Sequence, residues 1–357
     1  MMSQIRKPGK TGISTLALLW SIFLVIACGL GYPVLNRFDP RKTPGLSDVK
    51  TYAAMVTGTV SPDAGHVRFR VLVPELAKPF YFLARGFVAR AEFASWDPVM
   101  FGLLMADSMF VAGTAVLIVV LGIRQLGNPA AGLVAALLYL VNFAVPNLRL
   151  VGLVDAAEGF FLLALIWSLT ESALWAVPVI AVLGTLAKES FVPFSVVLTF
   201  AWWLVMGSER DSLRKRSYLL PDAVWIVGGW MLSVATMIGL QWDITGAFVN
   251  PLKFGLELHL GHDYLGHFAA SLHDRNLWYI FLWLLPTAIP NLKSLPKTWL
   301  MPMGTACIMA FVLDAYYGGA PGTVGRALFS VAGPMLSLSS ALFLLRLVVA
   351  DSERAKA

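Results

Sequence analysis

One aspartate in a polar segment is the strongest candidate for chemistry in this sequence. Asp48 lies in GLSDVKTYAAMVTG, which follows the first long apolar run and is typical of a loop that leads into a helix near Ser47. A carboxylate at this position can cap the helix by accepting from backbone N–H groups of the first turn. At a membrane surface it can instead act as a general base that takes a proton from an attacking hydroxyl. Lys50 and Tyr52 follow closely enough to contact a substrate bound there.

A second group of charges lies inside apolar sequence. Asp155 and Glu158 are three residues apart and therefore share one face of a helix. An ionised group at bilayer depth costs at least ~2.5 kcal/mol, so both acids should face the protein interior and have partners. Lys188 or Arg149 could pair with them structurally. The alternative is substrate binding by Asp155, Glu158 and Glu189, with Lys188 as a compact cation for phosphate.

Further cations could bind an anion. His66, Arg68 and Arg70 occupy alternate positions and would share one face of an extended segment. The guanidinium fork matches phosphate geometry, but contact with lipid headgroups is the favoured explanation of the pattern, and a phosphate-binding role stays open. Arg326 follows the flexible GGAPGTVG segment and is interpreted either as a phosphate ligand or as an anchor that reaches the interface. Tyr316, just before that segment, is a candidate for substrate binding.

The segment LELHLGHDYLGHFAASLHDR carries four of the five histidines. His259, Asp263 and His267 would share a helical face, which makes a metal site conceivable. The two glycines of the segment weaken a continuous helix, so a metal is not favoured. We expect His259 and His262 to help shape an acceptor pocket. No cofactor is expected, and a divalent metal is the less favoured alternative.

These residues must be positioned by a membrane protein, because 58% of the chain is hydrophobic and only 13% is charged. Apolar runs near the ~20 residues needed to cross the hydrocarbon predict an all-α, polytopic bundle of about ten spans. One domain, residues 1–357, is expected. The predicted spans are 13–34, 99–123, 130–146, 151–170, 173–187, 190–207, 221–240, 276–291, 299–317 and 327–349.

The positions of Lys and Arg in short loops predict the orientation. Basic residues at positions 6–10, 124, 210–216, 293–297 and 354–356 fall on one side if the chain crosses ten times, which places both termini in the cytoplasm. Every candidate residue then belongs to the outer side. A bacterial inner or plasma membrane is the expected location. The net charge of +6 is explained by these segments and by anionic lipid, so no nucleic-acid binding is expected.

The large outer loops, residues 35–98 and 241–275, are expected to carry short helices that lie on the membrane. The segment from Val67 to Phe87 mixes basic, aromatic and aliphatic residues, as an interfacial helix does. Pro74 and Pro79 are expected to divide it into pieces.

In layout the chain resembles the integral-membrane glycosyltransferases of the GT-C superfamily, which use polyprenyl-phosphate-linked sugars as donors. The resemblance spans most of the chain and rests on GLSDVKTYAAM, RFRVLVPELA, LVDAAEGFFLLAL, LAKESF and GRALFSVAGP. It implies that Asp48 is the catalytic base and that Lys188 and Arg326 contact the donor phosphate. Many members carry adjacent acids in the first outer loop, whereas Asp39 lies nine residues before Asp48 here. This departure also disfavours a metal.

The resemblance implies transfer of a hexose or pentose to a glycan, lipid or protein of the cell envelope, with inversion at the anomeric carbon. Arg68 and Arg70 would assist the departure of the lipid phosphate. The expected partners are the lipid-linked donor, an unidentified acceptor and membrane lipids. Two alternatives remain, a flippase or transporter of lipid-linked saccharides and a membrane acyltransferase. The sequence lacks GxxxxGK[ST], GxGxxG, HExxH and GxSxG, which disfavours ATP-driven transport and common hydrolases.

Overall fold

The computed structural model describes residues 12–43, 45–60, 65–88, 96–209, 216–246, 263–317 and 323–354. Within these ranges the protein is all-helical and contains no β-strand, which confirms the predicted all-α class. The α-helices are α1 (Ile13–Gly31), α2 (Pro33–Asn36), α3 (Asp48–Thr57), α4 (Leu72–Val88), α5 (Pro98–Leu126), α6 (Pro129–Leu140), α7 (Asp155–Thr170), α8 (Val177–Ala187), α9 (Phe191–Glu209), α10 (Arg216–Thr245), α11 (Tyr264–Leu272), α12 (Arg275–Phe281), α13 (Leu284–Ala288), α14 (Lys297–Tyr317) and α15 (Thr323–Arg354).

Five helical segments in the described part of the chain are long and apolar enough to cross a membrane. They are Ile13–Asn36, Pro98–Leu126, Asp222–Thr245, Lys297–Tyr316 and Thr323–Val348. Three shorter apolar helices, Pro129–Leu140, Leu174–Ala187 and Phe191–Met206, lie between them along the chain. These helices are compatible with a membrane protein.

Several of the predicted spans are shorter or more divided than the apolar runs indicate. The run at 276–291 is not one helix, because α12 and α13 are separated and a 3-10 segment, Ile289–Ser294, follows. Pro286 and Pro290 lack the N–H group that a continuous helix needs, which explains the division. In the run at 130–146, α6 ends at Leu140, and a π-helical segment, Val145–Arg149, follows it.

The expectation that prolines divide the segment after Val67 is wrong, since α4 is continuous. Pro74 lies in the first turn, where an N–H group has no acceptor within the helix. Pro79 lies inside the helix and removes one hydrogen bond. Close packing against α5 holds together the parts of α4 that lie before and after Pro79. A Cβ added to Gly102 of α5 would lie only 2.7 Å from the carbonyl oxygen of Ala77.

Two helices organise the core. The central helix α5 packs against α1, α3, α4, α6 and α7, and the last helix α15 packs against α6, α7, α13 and α14. Gly159 allows α7 and α15 to approach closely, because a Cβ there would lie 3.5 Å from the Cα of Ser330. Helix α4 also contacts α8, on the side of the bundle where α7 packs. Ion pairs bring together the beginnings of α3, α7 and α15 and the turn between α8 and α9.

Candidate functional site

Eight ionisable side chains from distant parts of the sequence meet where these elements converge. We name the following eight residues the charged cluster: Asp48, Arg70, Arg149, Asp155, Glu158, Lys188, Glu189 and Arg326. The cluster holds four basic and four acidic side chains, so its charges balance. Burial without this balance would be expensive, because a charge removed from water needs a partner.

Arg70 organises one half of the charged cluster. Its guanidinium binds Glu189 through two hydrogen bonds, with Nε donating to Oε2 at 2.7 Å and Nη2 donating to Oε1 at 2.5 Å. Nη1 donates to Oδ2 of Asp48 at 3.1 Å and to the hydroxyl of Tyr52 at 2.8 Å. Four of the five N–H donors of an arginine are therefore used within the protein. Arg70 fixes the position of both acids and keeps little capacity to bind phosphate.

Burial and the charge of Arg70 set the protonation states of Glu189 and Tyr52 in this half of the cluster. Burial alone would raise the pKa of Glu189, but the charge and hydrogen bonds of Arg70 lower it to about 2. Glu189 is therefore ionised at neutral pH. Burial raises the pKa of the Tyr52 phenol, and the nearby Arg70 charge offsets only part of this effect. Tyr52 consequently stays protonated.

Lys188 organises the other half of the cluster. Its Nζ lies 2.8 Å from Oδ1 of Asp155 and 3.0 Å from Oε2 of Glu158. Both acids are buried and face Lys188 from the first turn of α7, as their three-residue spacing predicts. Ser190 donates a further hydrogen bond to Glu158. Of the two structural partners considered for these acids, Lys188 is the one that binds their carboxylates.

The ammonium group of Lys188 stays charged and has one N–H donor that is not used by Asp155 or Glu158. Burial alone would lower the pKa of Lys188, but the charges of Asp155 and Glu158 raise it above the ordinary value. An ammonium group carries three N–H donors, and two of them bind these carboxylates. One donor is left for a further acceptor.

The turn between α8 and α9 links the two halves of the cluster. Lys188 ends α8 in an extended conformation, with φ −163° and ψ 137°. Side chains of successive residues in extended backbone point to opposite sides. Lys188 accordingly points toward α7, while Glu189 points toward Arg70. The hydrogen bond from the N–H of Phe191 to the Lys188 carbonyl, at 3.1 Å, then starts α9.

Arg326 has the fewest side-chain hydrogen bonds to described residues among the four cations of the cluster. Its Nη1 lies 3.5 Å from Oδ2 of Asp155, and its side chain makes no hydrogen bond to any residue in the ranges given above. Its backbone carbonyl accepts from Nη2 of Arg149 at 2.8 Å, which fixes the first turn of α15. Most of its guanidinium donors therefore have no acceptor among the described residues, and 11% of the side chain is exposed.

One carboxylate oxygen of Asp48 accepts a hydrogen bond from the protein, and the other has no partner among the described residues. Oδ2 accepts from Arg70, whereas Oδ1 makes no hydrogen bond to the described residues, and the side chain is 35% exposed. The capping interpretation lacks support, because Ser47 occupies the N-cap position without a side-chain hydrogen bond. The Asp48 carboxylate binds Arg70 instead of the backbone of α3. Its open oxygen can accept a proton from an incoming hydroxyl.

Two other predicted residues lie beside the cluster. Nε2 of His66 is 3.8 Å from Oε1 of Glu189, and the imidazole is largely exposed. The guanidinium of Arg68 lies over the ring of Phe69, 5.2 Å from its centroid. Their assigned roles in substrate and phosphate binding stay predictions.

The remaining predicted residues are not brought into the cluster. Lys50 is exposed on α3. Tyr316 stacks on Tyr264, with ring centroids 6.2 Å apart, where α11 packs against α14. His259 and His262 lie outside the described residues.

Arg149 is a cluster member that the sequence presents only as a possible partner for acids. It is fully buried and donates to the backbone carbonyl of Asp155 and, at 2.7 Å, to Oγ of Ser330. Its guanidinium also lies 5.6 Å from the centroid of the Phe329 ring. A cation in a short turn between apolar runs is the signal that could have identified it. Arg149 connects α7 to α15 and thereby positions Arg326.

The comparisons with known proteins add no identification. A scan against models of protein families finds no match, and a search of curated proteins finds none either. The resemblance to GT-C glycosyltransferases therefore stays a prediction. In the ranges that the structure describes, no group of three or more His, Cys, Asp and Glu side chains is arranged to hold a metal ion.

Proposed function

We propose that the protein is an integral-membrane glycosyltransferase that moves a sugar from a polyprenyl-phosphate carrier to an acceptor hydroxyl. The acceptor is a glycan, lipid or protein on the outer face of the membrane. The observation that carries this proposal is the charged cluster. Its one half holds a carboxylate with an open oxygen, its other half holds cations with unused donors, and the two halves adjoin at the Lys188–Glu189 turn. A base for the acceptor and ligands for an anionic leaving group are the two elements that this transfer needs.

The proposal includes a topology of about ten crossings with both termini in the cytoplasm of a bacterial cell. Five long helices and three shorter apolar helices support it. The distribution of Lys and Arg among the short loops supports the orientation. The charged cluster then belongs to the outer side, where a sugar must be presented by a lipid carrier because no nucleotide-sugar supply is expected there.

In the proposed mechanism, the acceptor hydroxyl gives its proton to Oδ1 of Asp48 as its oxygen attacks the anomeric carbon. The bond between that carbon and the phosphate oxygen breaks, and the lipid phosphate leaves with the electron pair. Arg326 and the third N–H donor of Lys188 stabilise the charge that develops on the phosphate. Attack opposite the leaving group inverts the configuration.

We assign Arg70 a positioning role rather than the phosphate-binding role that the sequence predicts for it. Four of its donors bind Glu189, Asp48 and Tyr52, so it is already occupied. Removal of Arg70 should reduce turnover through misplacement of Asp48. Its effect on the KM for the donor should be smaller than that of removing Arg326.

The test of the base uses membranes supplied with radiolabelled polyprenyl-phosphate hexose or pentose. Asp48→Asn should lower the rate of transfer by about 10²–10⁴, the usual contribution of a general base. Asp39→Asn is the matched control, because Asp39 lies in the same loop and binds Arg41. Full activity in correctly inserted Asp48→Asn protein would show that Asp48 is not the base. Saccharide translocation without covalent transfer by the wild type would favour a flippase.

The test of the phosphate ligand compares two arginines of the same helix. Arg326→Gln should lower kcat/KM for the donor by about 10²–10³, as the loss of one charge-stabilising donor group does. Arg346→Gln is the control, since Arg346 binds Asn291 and Ser294 at the other end of α15. Equal effects of the two substitutions would contradict the assignment of Arg326.

A further inference from the structure

A second polar region lies beside the charged cluster. It is a cavity of about 440 Å³ between α11, α12, α14 and α15, within the range of ~300–1,000 Å³ that is usual for ligand sites. We infer that this cavity binds a saccharide and that, given the proposed function, it is the acceptor subsite. The lining residues on which the inference depends are Ser271, Arg275, Asn276, Tyr279, Asp314 and Thr323.

One wall of the cavity is formed by the polar face of α12. Arg275, Asn276 and Tyr279 lie on this face, whereas Leu277 and Ile280 are buried against the bundle. The side chains of Arg275 and Asn276 make no hydrogen bond or ion pair to residues in the described ranges, so their donors are available. The ring of Tyr279 is 57% exposed and offers an apolar face with a hydroxyl at its end.

The opposite wall presents a fixed carboxylate. Oδ1 of Asp314 accepts from the hydroxyl of Thr323 at 2.6 Å, and Oδ2 accepts from the hydroxyl of Ser271. These two bonds join α14 to α15 and to α11. Each carboxylate oxygen has more than one lone pair, so Asp314 can still accept from a ligand.

The distribution of charge selects the class of ligand. Arg275 and Asp314 line the same cavity without forming an ion pair, so their side chains are held apart. A simple anion would meet the charges of Asp314 and of Asp274, which also lines the cavity and accepts from the N–H of Asn276. A simple cation would meet the charge of Arg275. A neutral saccharide avoids both conflicts, because each hydroxyl can donate to the carboxylate and accept from the guanidinium or the amide of Asn276. Its ring C–H groups can pack on the face of Tyr279.

The cavity also adjoins the proposed catalytic groups. Thr323 lines the cavity, and Arg326 lies three residues later on the same face of α15. The packing of α12 against this turn is close, since a Cβ added to Gly325 would lie 3.1 Å from Cδ1 of Ile280 and 3.4 Å from Cα of Leu277. A saccharide in the cavity is therefore one helical turn from Arg326, which fits an acceptor beside a donor phosphate.

The test is saturation-transfer NMR on the purified full-length protein in detergent micelles. The probes are methyl glycosides of common pentoses and hexoses, together with oligosaccharides released from the membranes of the source cells. At least one probe should bind the wild type, and Arg275→Ala and Asn276→Ala should each weaken that binding by about tenfold or more. Lys78→Ala, a change of a cation on α4 that pairs with Glu75, should leave binding unchanged. If no probe binds, or if all variants bind equally, the inference is wrong.

A second comparison separates this inference from the proposed function on which it rests. Asp48→Asn protein should lose transfer and still bind the saccharide. Binding by a wild type that cannot transfer sugar from a labelled polyprenyl-phosphate donor would refute the transferase proposal and leave the saccharide site standing. Transfer with an unchanged KM for the acceptor in Arg275→Ala protein would refute the site and leave the transferase standing.

Discussion

The buried ion pairs of Lys188 provide the sharpest prediction about stability. Lys188→Met keeps a long apolar side chain but removes the ammonium group that lies 2.8 Å from Asp155 and 3.0 Å from Glu158. The side chain of Glu158 is 0% exposed and that of Asp155 only 4% exposed, so water cannot replace the lost cation. Asp155 keeps a distant contact with Arg326, whereas Glu158 keeps only hydroxyl partners among the described residues.

The magnitude follows from these distances. Two unit charges about 3 Å apart attract by about 5–6 kcal/mol at an effective dielectric constant of about 20. The cost of removing the charges from water offsets much of this attraction in the native protein. When Lys188 is removed the attraction is lost, but the cost of burying the two carboxylates remains without compensation. We expect Lys188→Met to lower the free energy of unfolding by about 3–5 kcal/mol. The added substitution Glu158→Gln, which neutralises the stranded acid, should restore part of this loss.

The assay is equilibrium unfolding in mixed detergent micelles, with Lys78→Met as the matched control. Lys78 also binds a carboxylate, that of Glu75, at 2.5 Å, but these side chains are 33% and 55% exposed. Their pair should contribute less than about 1 kcal/mol. If Lys188→Met is no more damaging than Lys78→Met, or if Glu158→Gln restores nothing, the argument from buried charge is wrong.

Two further predictions concern pH and helix packing. The pKa of Glu189 is lowered from 4.5 to about 2, so its pairing with Arg70 stabilises the protein above pH 4.5 and this contribution is lost as the pH falls toward 2. Glu189→Gln should therefore reduce the free energy of unfolding by about 1–2 kcal/mol at pH 7. If the difference in stability between the wild type and Glu189→Gln stays constant down to pH 3, the lowered pKa of Glu189 is wrong. A Cβ added to Gly122 would lie 2.5 Å from Cα of Gly132, so Gly122→Ala should separate α5 from α6 and destabilise the protein by about 1–3 kcal/mol. Gly304→Ala is the control, because its added methyl meets open space, and it should be neutral or stabilising by up to about 1 kcal/mol in the same unfolding assay. If Gly122→Ala and Gly304→Ala lower the free energy of unfolding equally, the packing argument is wrong.

The sequence by itself determined the helical class and the local arrangement of acids on α7. Long apolar runs with few charges can satisfy their backbone only as helices in an apolar environment, so the class does not depend on which helix packs against which. The shared face of Asp155 and Glu158 follows from their spacing alone. The division of the run at 276–291 and the continuity of α4 were not predicted. The effect of a proline depends on its place in the helix and on the packing around it.

Only the tertiary structure decided which charges meet. Arg70 binds Glu189 across 119 positions of sequence, and nothing local distinguishes that acid from the others. Any cation attracts any carboxylate, so sequence cannot select a pair; the selection comes from burial, which strongly penalises every charge left without its partner. Packing also decided that four of the five Arg70 donors are used within the protein, whereas the Arg326 side chain makes no hydrogen bond to the described residues. That difference separates a positioning residue from a candidate phosphate ligand.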